Sequence, residues 1–371
     1  MNYHKLILLL SLIVFTASCT KAPGIGKAVD FNDLPGWEND QHAEAIVALH
    51  KNCIRLKNKA DWQDICSAVE QLQQPDNIIA RAFFERHFIP HTLRGEKGKK
   101  EGMITGYYEP LLQGSMEADE RYRYPLYRVP DDMLIIELAD IFPTLKGKRV
   151  RGRVVGNKVL PYYERAEIDG KQTPLSGQEL LWVDDRDQLF FLQIQGSGRI
   201  QLPDGRIIGA GYANQNGRAY HSIGKKLIEM NEIKREDVSL SSIKQWLKDN
   251  PDRAEALLNK NPSYVFFTLR DKVEEGPTGS LNVPLTAERS LAIDPKFVKL
   301  GAPIWLNTSY PGTEKRPLQK LVIAQDTGGA IKGQLRADLF WGTGDRAEQM
   351  AGNMKQKGEM YILIPKNSTL K

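Results

Sequence analysis

The sequence predicts a helical N-terminal segment followed by two β-rich barrels or sandwiches, with further helices as connectors. Residues 40–89 place apolar side chains at helical spacing, whereas from Met103 onward short apolar runs alternate with Gly, Pro and Asp, the texture of strands and turns. A length of 371 residues suggests two domains, at roughly 150 residues each. A chain of this size buries roughly three quarters of its unfolded surface, enough for a core without disulfide staples. With 41% apolar and 26% charged residues, collagen, low-complexity disorder and a polytopic membrane protein are excluded. A net charge of +5 is too dilute for a dedicated nucleic-acid binder, and no nucleic-acid partner is expected.

The first segment is an export signal. Lys5 precedes the apolar run Leu6 to Phe15, too short for a comfortable membrane span and shaped like the hydrophobic region of a signal peptide. Thr16, Ala17 and Ser18 then lead into Cys19, which resembles a bacterial lipobox with Thr where Leu is usual. Residues 1–18 are therefore expected to be removed and Cys19 lipidated, with residues 19–36 as a tether; an ordinary secretory site with an incidental cysteine is the alternative. Thr20 in place of Asp points to the outer membrane, by resemblance to lipoprotein sorting.

Three helices follow, carried by Ala45, Val47, Leu49 and Ile54, then Ser67 to Leu72, then Ile78 to Phe84, with Pro90 ending the third. Cys53 and Cys66 sit on the first two and are expected to pair in an oxidising compartment, the alternative being two buried thiols. Beyond Met103, LFFLQIQ (189–195) reads as the clearest strand, and residues 199–212 as a hairpin around Pro203-Asp204-Gly205. A second helical patch covers 217–232 and 241–259. The last third returns to strands in PIWLNTSY, QKLVIAQD and MYILIP, with one helix near 346–357.

Familiar chemical motifs are absent. His87 and His91 are separated by Pro90, which breaks the helical face a zinc pair would need, and no metal or cofactor is expected. Gln195-Gly196-Ser197-Gly198 lacks the first glycine of a nucleophile elbow. The basic stretches 94–100 and 146–153 read first as solvated loops, with attraction to an anionic envelope polymer as the alternative. More informative are Asp294, Asp326 and Asp338. Each ends or interrupts an apolar run, and Gly328, Gly329, Gly333, Gly342 and Gly344 clear space beside two of them. Any one could be a turn-maker; three within one short region suggest a shared cleft.

These segments resemble the membrane-bound lytic murein transglycosylase A family. SLAIDPKFVKLGAPIWL (290–306), VIAQDTGGAIKG (322–333) and RADLFWGTGD (336–345) are similar to its three-aspartate domain. TGYYEPLLQGS (105–115), YYERAEI (162–168), 175–200, GYANQNGRAYHSIGKKLI (211–228) and NPSYVFF (261–267) resemble its large insert. The resemblance spans about residues 103–365, with Glu164 where Thr is expected and His221 where Arg often stands. It implies a mainly β fold with helices: a double-psi β-barrel catalytic domain from 37–106 plus 265–371, a second β-barrel of residues 107–264 inserted for substrate binding, and a glycan groove between them.

The implied reaction is non-hydrolytic cleavage of the β-1,4 bond between N-acetylmuramic acid and N-acetylglucosamine, leaving 1,6-anhydromuramoyl ends. Since the nucleophile is the substrate's own C6 hydroxyl, one carboxyl group can serve as acid and then as base, where ordinary glycosidases use two. Asp338, between Ala337 and Leu339-Phe340-Trp341, has the most apolar surroundings and the catalytic motif position. Asp326 is expected to support it, and Asp294 to be either a site residue or structural. Tyr107, Tyr108, Gln193, Gln195 and Ser197 are candidate sugar contacts, with strand packing as the alternative for the tyrosines. Glu109 is the one nearby carboxylate able to supply a second acid–base group. Implied partners are peptidoglycan strands, the periplasmic face of the outer membrane through the lipid anchor, and a cell-wall synthesis complex. A hydrolase using an Asp pair and a non-catalytic wall-binding lipoprotein are the rival functions.

Overall fold

The computed structural model describes residues 24–368, apart from Glu274 and Thr313; the signal segment and Cys19 lie outside them. In chain order, β1 (Gly24–Ala28) leads to helices α1 (His42–Leu56), α2 (Gln63–Glu70) and α3 (Asn77–His87), then β2 (Phe88–Arg94) and β3 (Glu101–Glu109). Strands β4 (Leu111–Ser115), β5 (Tyr124–Tyr127), β6 (Leu134–Ile136), β7 (Val150–Val155) and β8 (Lys158–Pro161) follow. Next come α4 (Arg165–Ile168), β9 (Glu179–Val183), α5 (Arg186–Gln195), β10 (Ser197–Gln201) and β11 (Ile207–Gln215). Helices α6 (Ile223–Glu229), α7 (Leu240–Asp249) and α8 (Pro251–Leu258) precede β12 (Val265–Arg270), β13 (Ser290–Ile293), β14 (Pro303–Ser309), β15 (Pro317–Asp326) and β16 (Arg336–Thr343). Helix α9 (Asp345–Asn353) and β17 (Lys355–Pro365) complete the order.

The first sheet closes on itself. Strands β17, β14, β15, β13, β16 and β3 are hydrogen-bonded in that sequence, and β3 pairs back onto β17, so six strands form a barrel with two parallel pairs, β13–β15 and β16–β3. Closure follows from the length of β17, whose first half pairs with β3 and whose second half pairs with β2. Alternation sorts the side chains. Ile104, Leu291, Ile304, Val322, Leu339 and Ile362 fill the barrel, while Trp305, Leu321, Ile323 and Leu363 face outward against α1 to α3. Arg289 locks that helical layer in place. Buried beside β13, it forks onto both oxygens of Asp40 at 2.7 and 2.9 Å and also reaches Glu44 and the carbonyl of Leu321.

A second sheet of β12, β11, β10, β4, β9 and β5 packs on the barrel, and β6, β7 and β8 form a separate three-stranded sheet. Three expectations need correction. The run 189–195 is helical, not a strand, because Asp185 caps its N-terminus by accepting from Asp187 and Gln188, and Gly196 ends it at φ 83°. Leu189 and Leu192 pack into one core cluster and Phe190 and Phe191 into another, so no single apolar stripe marks it as a helix, and a short apolar run does not by itself separate helix from strand. Residues 265–270 belong to the second sheet through pairing with β11, so the boundary expected at 264 falls after Arg270. The expected tether is ordered from Gly24, since β1 covers the otherwise open edge of β2.

Cys53 and Cys66 are disulfide-bonded across 13 residues, joining α1 to α2. Closing a loop of this size stabilises by about 3 kcal/mol in the chain-entropy account. The Cys53→Ser/Cys66→Ser pair is expected to lower the unfolding free energy by that amount, read as a lower denaturant midpoint at constant slope.

Candidate active site

The site grows out of strand register. Ala292 of β13 is paired on one side with Asp338 of β16 and on the other with Asp326 of β15. Paired residues share a face, so both carboxylates project from the same outer surface of the barrel, roughly two strand spacings (~10 Å) apart at the backbone. Simple alternation along β15 would turn Asp326 inward. An extra residue, Gln325, shifts the register there; its side chain is buried on Asn52 and the carbonyl of Ala48 in α1, and the bulge re-aims Asp326. Helix α1 thus holds the bulge that points the carboxylate.

The three aspartates sit in different environments. Asp294 is buried, with one oxygen accepting from the Lys296 amide and the other from the Gly333 amide at 2.8 Å, so it clamps the loop 327–335 onto the end of β13. Asp326 is saturated: Oδ1 accepts from the Ser280 amide, the Ser280 hydroxyl and the Thr327 amide, and Oδ2 from the Tyr107 hydroxyl at 3.0 Å. Those donors occupy about all the lone-pair sites a carboxylate offers. Burial nonetheless raises its pKa, opposed by the same hydrogen bonds.

Asp338 is different. Its Oδ1 accepts from the Thr105 hydroxyl at 2.6 Å, and among the described residues no hydrogen bond reaches its Oδ2. On its face lies a small apolar cluster of Tyr107, Leu285, Ala292, Ile331 and Phe340. Burial pushes its pKa up to about 6, helped by the Asp326 charge and opposed by Thr105 and the Arg336 guanidinium. Arg336 donates to Thr105 Oγ1 at 2.8 Å, which turns the threonine proton toward Asp338.

Beside the barrel runs a groove of about 550 Å³, lined by Asp326, Ser280, Gln195, Ser197, Tyr212 and Tyr220 among others. Asp338, half-buried, is not among the residues that line it. Gln193 also lines it, buried and held at 2.5 Å by Arg165, whose guanidinium additionally bonds the Asn261 and Ser263 carbonyls and lies over Phe190 and Tyr264. Gln195 Oε1 accepts from the Tyr108 amide, which anchors the end of α5 to β3.

Of the expected sugar contacts, then, Gln193, Gln195 and Ser197 reach the groove. Tyr107 faces Asp326 as a hydrogen-bond donor and Tyr108 does not reach the groove, because the strand period turns its ring into the barrel core. Glu109 is fully buried between Arg199 and Arg270, each 2.8 Å from one of its oxygens, and ties β3 to β10 and β12. With both oxygens engaged by guanidinium groups, it braces the two sheets and offers no acid–base oxygen. The sequence reading missed Thr105, Arg165 and Ser280. Thr105 sits at the head of the TGYYEP motif and was signalled there; Ser280 lies in a loop with no pattern at all. No group of His, Cys, Asp and Glu among the described residues is placed to hold a metal ion.

Residues 103–268 match the MltA specific insert domain family and residues 289–364 the 3D domain family. The chain is 33% identical over 279 residues to the membrane-bound lytic murein transglycosylase A of Vibrio cholerae, covering 73% of this chain and 68% of that one. The crystal structure of MltA from Neisseria gonorrhoeae in its monoclinic form superposes with a TM-score of 0.80 at 36% identity, covering 92% of this chain and 93% of that chain. Escherichia coli MltA with bound chitohexaose superposes at 0.70 and 25% identity, covering 93% and 97%.

Proposed function

The chain belongs to the membrane-bound lytic murein transglycosylase A family, and we propose on that premise that it cleaves the glycan strands of peptidoglycan without adding water. The glycan lies in the groove between barrel and second sheet, where the chitohexaose-bound relative makes an oligosaccharide ligand a natural occupant. Asp338, protonated, donates to the glycosidic oxygen between N-acetylmuramic acid and N-acetylglucosamine, and the bond to muramoyl C1 breaks. The resulting carboxylate accepts the proton of the muramoyl C6 hydroxyl as its oxygen bonds to C1, giving a 1,6-anhydro end and restoring the acid. Asp326, ionised and fixed by Tyr107 and Ser280, raises the proton affinity of Asp338 and stabilises positive character on the sugar. Ile331 of the glycine-rich loop 327–335 packs beside Asp338, which is itself half-buried. Cleavage takes place at a membrane, with Cys19 as the lipid-bearing residue on the periplasmic face of the outer membrane.

One observation carries the single-acid mechanism: of the carboxylates at this site, Asp338 combines an apolar, pKa-raising setting with an oxygen that no hydrogen bond reaches among the described residues, while Asp326 and Glu109 have theirs occupied. A hydrolase would need a second carboxylate able to activate water. Mass spectrometry of muropeptides released from purified murein decides between them: products lighter by one water are expected, and hydrolysed reducing ends as the main product would refute the mechanism.

The pH dependence has a fixed sign. The first step needs protonated Asp338, so the rate falls as pH rises through about 6. The Thr105 hydrogen bond favours the ionised form, so Thr105→Val is expected to move this alkaline limb to higher pH, read from the pH profile of kcat/KM on murein.

A further inference from the structure

The three-stranded sheet leaves apolar side chains exposed on both of its faces. Register places Leu134, Ile136, Val150, Val154 and Val159 on one face around Gly152, and Ile135, Arg151, Arg153, Val155, Lys158 and Leu160 on the other. On the charged face Arg151 donates to Asn214 at 3.2 Å and Arg153 lies 4.0 Å from the ring centroid of Tyr163, while Ile135 and Val155 of that face stay 58% and 48% exposed. The apolar face is left to water, with Val154 62% and Val159 54% exposed. None of its residues belongs to a core cluster of the protein. The loop joining β6 to β7 carries the same signature further, exposing Ile141 at 71% and Phe142 at 53% beside Leu138. Soluble proteins seldom leave contiguous apolar surface of this kind without a partner.

We propose that this sheet and its loop form a docking element for an anionic lipid surface, separate from any anchor at Cys19. Charge selects the occupant. Residues 134–161 hold six Lys and Arg against two carboxylates, Glu137 and Asp140. Lys146 and Lys148 stand exposed in the loop, immediately after Ile141 and Phe142, and make no salt bridge among the described residues. Aliphatic and aromatic side chains flanked by lysines are what shallow insertion into the headgroup region of an acidic bilayer requires. Self-association is disfavoured by size, since these side chains fall far short of the roughly 20–30 residues per side of a stable protein interface. Docking through this sheet and its loop, whose Arg149 lines the groove and bonds Tyr212, would hold the groove at a set distance from the membrane.

Amide hydrogen exchange of the full chain tests this region by region, whatever else attaches the protein to lipid. Exchange across 134–161 is expected to slow about tenfold or more on vesicles containing phosphatidylglycerol, and much less on phosphatidylcholine alone. Lys146→Gln/Lys148→Gln should raise the anionic lipid concentration needed for half-maximal protection by roughly 25-fold, fivefold per lysine. Phe142→Glu should abolish the protection, and both variants should cleave murein normally. Three results would each overturn the proposal: vesicle-bound protein with unchanged exchange in 134–161, protection that rises with protein concentration without lipid, or protection by murein and not by vesicles.

Discussion

Asp338→Asn is expected to lower murein turnover by about 10³- to 10⁴-fold, at the upper end of what one acid–base group contributes, because the same carboxyl serves both steps. Binding of chitooligosaccharides should change little, since the groove is lined by Asp326, Gln195, Ser197 and their neighbours and the Asp338 side chain does not line it. The variant also separates chemistry from folding. A carboxyl whose folded pKa is raised from 3.8 to about 6 favours the protonated form in the fold, so its ionisation weakens the fold as pH rises across that window. Asparagine stays neutral throughout, and Tm at pH 7.5 is expected to be equal to or above that of the native protein. Turnover within a few-fold of native in this variant would transfer the acid role to another group.

The second large effect is on stability. Arg289→Ala is expected to destabilise by about 3–5 kcal/mol, as removal of one partner from a buried ion pair leaves the other uncompensated. Asp40 would keep a buried carboxylate whose remaining donor is the Leu321 amide at 2.8 Å, and the Gln41 and Leu321 carbonyls would lose a donor. Urea unfolding measures it directly, as a shift in midpoint at constant slope. Asp40→Ala should cost a similar amount, and the double variant less than the sum of the two.

What the sequence made legible was local or compositional. The N-terminal helices were readable because each has one apolar face, and the hairpin 199–212 because Pro-Asp-Gly is a turn with a mechanism. The three aspartates stood out through their glycine neighbours, and the family resemblance supplied a barrel and an insert. Register was not readable. That Ala292 lies between Asp326 and Asp338, and that Gln325 is a bulge, depends on pairing between segments far apart in the chain. Packing into two separate clusters hid the period of α5. Tyr107 and Tyr108 illustrate the limit most simply: neighbours in a strand point to opposite faces, and the identical residue types gave no hint which would meet Asp326.

The way β17 closes the barrel has a consequence for how the protein is made. Thr105 and Asp338, which share a hydrogen bond in the finished site, are 233 positions apart, and β17 must still pair with β3 after Asp338 has been laid down. Loop closure over such distances is entropically costly before it is rewarded, so barrel formation is slow relative to the local helices. Until the last strand arrives, β3 and β14 keep an open edge, and the aspartates lack the register that aims them. An enzyme that cuts wall polymer is thereby inert while its chain is still emerging, and becomes competent only when the final strand is in place.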